Sequence, residues 1–146
     1  MSKKVHDIIR DRKEIYSISN QMTVAEAARY LKERGIRAAG VYNLSGKVIG
    51  VVSQSDISDK VAAENFRPSD IKVQAIASQT LIKITPDSEC SAAMQLMHEK
   101  GVYHLAVEDN DGNYLGMVSM RDCITMSVEE EKERAEMYKD YAFPNY

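Results

Sequence analysis

The chain has 146 residues, of which 44% are hydrophobic and 28% charged, and its formal net charge is −3. This length suits one compact domain or two small ones that share a core, and the acidic balance argues against general affinity for nucleic acid, which needs a basic surface. No apolar run follows the N-terminus or approaches the roughly 18 residues of a membrane span, so we expect a cytoplasmic protein without a signal peptide or membrane segment.

The first half of the chain predicts a strand–helix–strand–strand–helix unit. Apolar residues alternate in the predicted strands and recur at helical spacing in the predicted helices. Thr23 and Ser53 stand where the two helices should begin, because their hydroxyl groups can cap a helix. The predicted elements are a polar and basic lead-in over 1–14, a strand over 15–18, a helix over 23–35, strands over 38–42 and 48–52, and a helix from 53 to about 64.

The same order of elements begins again in the second half, at a fixed offset of 66 positions and without a gap from Ile15 to Met126. This pattern indicates an internal duplication, and a repeat longer than about 50 residues favours a pseudo-twofold pair over a solenoid. We expect a first repeat with its lead-in over 1–68, a second repeat over 69–127, and a C-terminal helix with an aromatic tail over 128–146. Identities at this offset include Ile18/Ile84, Ala27/Ala93, Gly35/Gly101, Gly46/Gly112 and Val52/Val118.

Each unit contains the same motif, a short apolar strand that runs directly into a capped helix. The serine can cap the helix, and the aspartate three residues later can accept a hydrogen bond from the N–H of the serine. A helix start of this kind also presents free N–H groups that can hold an anion. One copy would indicate only a well-capped helix, whereas two copies in register favour a shared function. The copies are Gly50-Val51-Val52-Ser53-Gln54-Ser55-Asp56 and Gly116-Met117-Val118-Ser119-Met120-Arg121-Asp122.

The duplicated unit, the Gly-Ile-Arg and Gly-Val-Tyr helix ends and the two motifs resemble a tandem pair of cystathionine-β-synthase (CBS) domains, also called a Bateman module, over roughly Val5 to Met126. The resemblance implies an α/β (α+β) fold of two β-α-β-β-α repeats related by pseudo-twofold symmetry, with two packed three-stranded sheets and helices outside. It also implies two clefts that bind adenosine compounds, in a regulatory module without catalysis of its own.

By this resemblance, each cleft combines the motif of one repeat with the lead-in and the middle-strand entry of the other. The aspartate would accept the ribose hydroxyls, the serine would bind ribose or phosphate, and apolar side chains would flank the adenine. The expected residues of cleft A are Val5, Ile9, Ile36, Arg37, Ser119, Arg121 and Asp122. Those of cleft B are Ser53, Ser55, Asp56, Ile76, Ala77, Val102, Tyr103 and His104.

The two clefts are expected to be unequal, with cleft A the better site for a phosphorylated ligand. Arg121 lies in the first helical turn, where a cation opposes the helix dipole and costs roughly 0.3–1 kcal/mol when no anion is present. Arg37 should face the same cleft, with Lys3, Lys4 and Arg10 near its rim, and such converging cations favour a phosphate group.

The expected ligand is AMP, ADP or ATP, with no required cofactor. Neither the three histidines nor Cys90 and Cys123 fit a catalytic or metal-ligand spacing, so no catalytic residue and no metal are expected. The alternatives are a structural homodimerisation module with empty clefts, or a binder of S-adenosylmethionine or NAD. The cysteines are expected to be buried free thiols, with a disulfide as the alternative.

The expected partners are a second copy of the chain and an unidentified regulated protein. A homodimer is predicted because the small domain cannot bury all of its apolar helix faces. The aromatic residues Tyr138, Tyr141, Phe143 and Tyr146 predict a tail that docks on the module or on its partner. The helix-face residues behind the dimer prediction are Ala27, Ala28, Ala93, Met94, Met97 and Met126.

Overall fold

The structure, a computed structural model, describes residues 2–142 of the chain, with side chains as far as residue 139. Its elements follow the duplicated order that the sequence predicts. A π-helical turn over Ser58–Ala62 continues α3, and the repeats are joined through 3-10 turns over Pro68–Asp70 and Val73–Ala75. The elements are α1 (Val5–Ile9), β1 (Ser17–Ser19), α2 (Val24–Arg34), β2 (Ala38–Tyr42), β3 (Val48–Ser53), α3 (Gln54–Ile57), β4 (Lys83–Ile84), α4 (Cys90–Lys100), β5 (His104–Glu108), β6 (Tyr114–Ser119) and α5 (Met120–Ala142).

Within residues 2–142, six strands form two three-stranded sheets of the same topology. In the first sheet β1 runs parallel to β2, which pairs with β3 in antiparallel fashion. In the second sheet β4, β5 and β6 repeat this arrangement. The register of each hairpin shifts at the equivalent place, between Val41 and Tyr42 and between Val107 and Glu108. The predicted pair of α/β (α+β) repeats is therefore confirmed.

Each sheet has its own hydrophobic core beneath its helices. Ile18 and Val41 are fully or almost fully buried in the first core, and Leu105 occupies the second. Cys90 and Cys123 are buried free thiols in the second core, as predicted. Burial raises the pKa of Cys123 to about 12, so its thiol stays protonated at neutral pH.

The lead-in of each repeat packs on the core of the other repeat. Val5 of α1 is fully buried in the second core, and its N–H donates to the carbonyl of Ser88 at 2.9 Å. Val73 is fully buried in the first core, where the N–H of Val24 donates to the carbonyl of Ile71 at 2.8 Å. This exchange ties the two repeats together, while the boundary between residues 68 and 69 stays a prediction.

The two sheets meet where Tyr114 of β6 packs against β2. A Cβ atom on Gly40 would lie 2.7 Å from the Tyr114 side chain, so only glycine leaves room for the ring. The Gly40 N–H donates to the Tyr114 hydroxyl at 3.2 Å, and this hydroxyl donates to the carbonyl of Tyr16 at 2.8 Å. Burial raises the pKa of Tyr114, so the hydroxyl keeps the proton that it donates.

Helix α5 continues past the second repeat toward the C-terminus. None of the helices within residues 2–142 combines the length and the apolar composition that crossing a bilayer requires. Tyr138 is 66% exposed. The side chain of Tyr141 and residues 143–146, which include Phe143 and Tyr146, lie outside the described part of the chain, so docking of the tail stays a prediction.

Candidate functional site

Two cavities open between the repeats, one at the start of each motif helix. Cleft A has a volume of about 800 Å³ and contains Ser119 and Asp122 at the start of α5. Cleft B has a volume of about 580 Å³ and contains Ser53 and Asp56 at the start of α3. Both volumes lie within the range of about 300–1,000 Å³ that small-molecule sites occupy.

The motif serines and aspartates form reciprocal capping boxes, as the sequence predicts. The Ser119 N–H donates to the Asp122 carboxylate at 2.8 Å, and the Asp122 N–H donates to the Ser119 hydroxyl at 3.0 Å. The equivalent bonds between Ser53 and Asp56 measure 2.9 and 3.2 Å. Each cap holds a carboxylate at the edge of its cleft, where a ligand hydroxyl group can donate to it.

Arg12 is the main unpredicted residue of cleft A. Its guanidinium lies 3.1 Å from the Asp122 carboxylate and also donates to the carbonyl of Met117. Its side chain lies over the ring of Tyr16, with 5.5 Å between the guanidinium carbon and the ring centroid. Arg12 thus occupies the carboxylate that would otherwise accept a ligand hydroxyl.

In cleft B a cation also pairs with the equivalent aspartate, but it comes from a different segment of the chain than Arg12 does in cleft A. The Lys60 ammonium lies 3.0 Å from the Asp56 carboxylate and donates to the carbonyl of Ile76 at 2.9 Å. Met126 stands at the equivalent position of the second repeat, which therefore lacks this cation. Each aspartate therefore has a cationic partner. Asp56 pairs with a lysine that follows it on the same helical segment, whereas Asp122 pairs with an arginine from the segment before β1.

Most of the predicted site residues line the cavities for which they were predicted. Their part in ligand binding stays a prediction. Cleft A is lined by the predicted Ile36, Arg37, Ser119, Arg121 and Asp122. Cleft B is lined by the predicted Ser53, Ser55, Asp56, Val102, Tyr103 and His104.

The structure corrects the prediction of which lead-in residues line cleft A. Val5 is fully buried in the second core, and Ile9 packs against that core. Among the described residues, the lead-in contributes Arg12 and Tyr16 to cleft A instead. The reason is that the apolar face of α1 is used to cover the second core, whereas the segment just before β1 passes the cleft.

The same correction applies to cleft B. Ile76 is buried in the first core, and Ala77 lines a separate cavity of about 210 Å³. The residues before β4 that line cleft B are Ser78, Thr80, Leu81 and Ile82. Ser78 and Ile82 are the equivalents of Arg12 and Tyr16 at the offset of 66, so the segment just before the first strand passes a cleft in both repeats.

The cations expected near the rim of cleft A are engaged elsewhere. Lys3 pairs with Glu133 at 2.9 Å, and Arg10 pairs with Asp7 at 3.2 Å. Lys4 lines a different cavity beside His6. In the described part of the chain, the cations lining cleft A are therefore Arg12, Arg37 and Arg121.

Comparison with known proteins identifies the repeats. The model of the CBS domain family matches residues 5–63 and 73–129. An uncharacterized protein of Methanopyrus kandleri is 28% identical over 129 residues, which cover 84% of this chain and 66% of the relative. An uncharacterized 17.7 kDa protein of Acidianus ambivalens is 30% identical over 122 residues, which cover 84% of this chain and 71% of the relative. The chain spans about two thirds of the length of these two relatives.

Solved structures share the fold at low sequence identity. A CBS-domain-containing protein of Agrobacterium tumefaciens has a TM-score of 0.78 at 23% identity, covering 87% of this chain and 95% of its own. A CBS domain pair in complex with 5′-methylthioadenosine and S-adenosyl-L-methionine has a TM-score of 0.77 at 20% identity, covering 89% and 99%. A CBS domain protein of Pyrobaculum aerophilum complexed with AMP has a TM-score of 0.73 at 20% identity, covering 82% and 89%.

The two matched segments correspond to the two duplicated units, each with its own sheet and capped motif helix. The chain therefore belongs to the CBS domain family, and its two domains form a tandem pair, or Bateman module.

Proposed function

We propose that this CBS pair is a regulatory module that binds adenosine nucleotides of the AMP, ADP or ATP class in its clefts and catalyses no reaction itself. The observation that carries the proposal is cleft A, where the α5 start holds Ser119 and Asp122 among Arg12, Arg37 and Arg121. The AMP complex of the Pyrobaculum aerophilum protein supports it, as does the complex with 5′-methylthioadenosine and S-adenosyl-L-methionine.

The residues of cleft A suit the separate parts of such a ligand. The Asp122 carboxylate can accept hydrogen bonds from both ribose hydroxyls once Arg12 moves away from it. The free N–H groups of the first α5 turn, together with Arg121 and Arg37, suit a phosphate group. Ile36 and Tyr16 provide the apolar and aromatic surface that an adenine ring needs.

The charges of cleft A favour a phosphorylated ligand over S-adenosylmethionine. Three arginines face a single aspartate there, so a ligand with a sulfonium cation meets like charge, whereas a phosphate meets opposite charge. Cleft B is less basic, because Ser55 replaces Arg121 and Ser78 replaces Arg12. Cleft B therefore suits a nucleoside or a less charged adenosine compound, and NAD remains an alternative for the module.

The test is a calorimetric and thermal-shift titration with AMP, ADP, ATP, adenosine, S-adenosylmethionine and NAD. A ligand at a hundredfold excess over its Kd stabilises the folded state by about 2.7 kcal/mol. Arg121→Ala should weaken AMP much more than adenosine, because only AMP has the phosphate, whereas Asp122→Ala should weaken both. Ser55→Ala, at the position equivalent to Arg121, is the matched control and should leave cleft A unchanged.

Two outcomes would contradict the proposal. If no adenosine compound shifts the melting temperature or gives a calorimetric signal, the clefts are not nucleotide sites and a purely structural role is favoured. If Asp56→Ala alone abolishes AMP binding while Arg121→Ala and Asp122→Ala bind normally, cleft A is not the preferred site.

We also infer that two copies pair through the α5 face of the second repeat. Ala27, Ala93 and Met97 do not support this, because they are fully buried in the cores of their own chain. The supporting observation is that Ile124 and Val128, one helical turn apart, are each 50% exposed. The regulated protein, like the cytoplasmic location, stays a prediction from the sequence.

A further inference from the structure

The two clefts share a wall. Arg37, Ala38, Tyr103, His104 and Met117 line both cavities. Arg37 and Tyr103 are equivalent residues at the offset of 66, and so are Ala38 and His104. Apart from Met117, the shared wall is therefore built from the same two positions of each repeat, which come together between the clefts.

The backbone of this wall is symmetric, whereas its charge is not. The Gln54 N–H donates to the Arg37 carbonyl at 2.9 Å, and the Met120 N–H donates to the Tyr103 carbonyl at 2.9 Å. Both positions are thus tied to the first residue of a motif helix. A module with arginine at both positions would have one cation for each cleft, but here tyrosine takes the second position. Within the described part of the chain, Arg37 is therefore the one arginine that lines both clefts.

The Arg37 guanidinium is available to a ligand. Among the residues that the structure describes, no carboxylate forms a salt bridge with it, in contrast to Arg12 and Lys60. His104 does not replace it as a second cation near neutral pH. Burial lowers the pKa of His104 below its usual value, the Asp122 carboxylate partly opposes this shift, and the charge of Arg37 adds to it.

We propose that Arg37 couples the two clefts, because its guanidinium can neutralise a phosphate group in only one cleft at a time. The module then favours a pair of ligands in which one is phosphorylated and the other is uncharged. This inference rests on the proposed function and adds to it the rule by which the two sites are filled together.

The physical argument compares the first anion with the second. The first phosphate meets a cation without a partner, and the pair that forms is close to neutral. A second phosphate finds Arg37 already engaged by the first, so it lacks the attraction that it would have had alone, and it also meets the charge of the first phosphate. An uncharged nucleoside does not pay this cost. By linkage the penalty is the same whichever cleft is filled first.

Each cleft also has cations that do not line the other one, so the two clefts are expected to differ in affinity even without coupling. The experiment has to distinguish this difference in affinity from coupling between the clefts. Arg12 and Arg121 line only cleft A, and Lys100 lines only cleft B. Unequal but independent sites give a two-step titration that equals the sum of two single-cleft titrations. Coupled sites give a second step that is weaker than this sum.

The experiment titrates AMP and adenosine calorimetrically into the wild type and into two single-cleft variants. Asp56→Asn disables cleft B and Asp122→Asn disables cleft A, and the asparagine oxygen can still accept the capping hydrogen bond. If either variant unfolds or still fills both clefts, Thr80→Trp and Met120→Trp replace them. Thr80 is exposed and Met120 is half-buried, and each lines only one of the two clefts.

The expected result is a second AMP that binds at least about fivefold more weakly than the single-cleft variants predict, which is the low end of usual coupling free energies. Adenosine should follow the sum in the wild type. In an Arg37→Met background the deviation of the AMP titration from the sum of its own single-cleft variants should become clearly smaller, because only the direct repulsion between the two phosphates remains. Arg121→Met is the matched control, since it removes an arginine of cleft A alone and should leave the deviation in place.

Each other outcome contradicts a defined statement. If AMP binding to the wild type equals the sum of the two single-cleft titrations, the clefts are not coupled, although the proposed function still stands. A deviation that is as large in Arg37→Met as in the wild type overturns the role of Arg37. A deviation of the same size for adenosine overturns the charge argument. Absence of binding by both AMP and adenosine overturns the proposed function itself and this inference with it.

Discussion

At the scale of single residues, the contact of Arg12 with Asp122 separates the two clefts. The Arg12 side chain is 20% exposed, against 50% for Lys60, so the cation of this pair is better shielded from water than its counterpart in cleft B, although Asp122 is more exposed than Asp56, at 33% against 14%. Arg12 also donates to the Met117 carbonyl, which gives its guanidinium two fixed acceptors. A ligand that needs the Asp122 carboxylate must therefore move Arg12 first.

Arg12→Met should lower the free energy of unfolding by about 1 kcal/mol, because it removes a charge-assisted hydrogen bond that is partly shielded. In the Asp56→Asn background, Arg12→Met should also tighten adenosine binding in cleft A by about fivefold, because the ligand no longer has to break the Arg12–Asp122 pair, which costs about 1 kcal/mol. Urea unfolding and calorimetry measure the two effects. Arg10→Met is the control, because it removes the same charge from a surface pair and should change neither the stability nor the adenosine affinity. An unchanged adenosine affinity in Arg12→Met would show that Arg12 does not compete for Asp122.

At the scale of elements, the contact between β2 and β6 joins the two sheets. Gly40 leaves room for the Tyr114 ring, and the Tyr114 hydroxyl donates to the carbonyl of Tyr16, which itself lines cleft A. The equivalent positions at the offset of 66 hold Ala106 and Val48. The first pair thus combines the smallest residue with a large one, whereas the second combines two of intermediate size.

Gly40→Ala should lower the free energy of unfolding by about 1–3 kcal/mol, because the added methyl group overlaps the Tyr114 side chain. Tyr114→Val should be destabilising by itself, through the loss of the ring and its hydrogen bonds. The double variant reproduces the alanine–valine pair of the other repeat and should lose less than the sum, with an interaction free energy of about 0.5–3 kcal/mol. Urea unfolding of all four proteins provides the cycle, and strictly additive losses would contradict the steric argument.

At the scale of the whole molecule, the pseudo-twofold symmetry is broken on the outer helices. α5 runs over Met120–Ala142, whereas α3 covers only Gln54–Ile57 before the π-helical turn. The exposed Ile124 and Val128 of α5 correspond to Ser58 and Ala62 of the first repeat. At these two positions the exposed large apolar side chains therefore belong to the second repeat, and a twofold dimer can bury them against its own copy.

Val128→Glu should convert a dimer into a monomer, because each copy would place a carboxylate opposite its twin in an apolar contact. Light scattering at micromolar concentration measures the mass. Leu44→Glu is the control, since Leu44 is 87% exposed in a turn and lies away from this face. A wild-type chain that is already monomeric under these conditions would rule out the dimer.

Local patterns of residues were sufficient to predict the duplication, the order of elements and the two capped motifs. Ser53, Asp56, Ser119 and Asp122 could be assigned because a capping box is encoded within four residues. Gly35 marks a helix end for the same reason, since its φ of +64° is a local requirement that glycine meets without strain. Patterns of this kind can be recognised without knowing which distant residues pack against them.

The lead-in residues that enter the clefts, and the cations that meet there, depend instead on how the two repeats pack against each other. Val5 and Ile76 were apolar enough for an adenine pocket, but the exchange of lead-ins between the repeats buries them in the opposite cores. The contact of Arg12 with Asp122 joins residues 110 positions apart. The wall shared through Arg37 likewise exists only once the two repeats have packed together, because no local pattern specifies which distant side chains will meet.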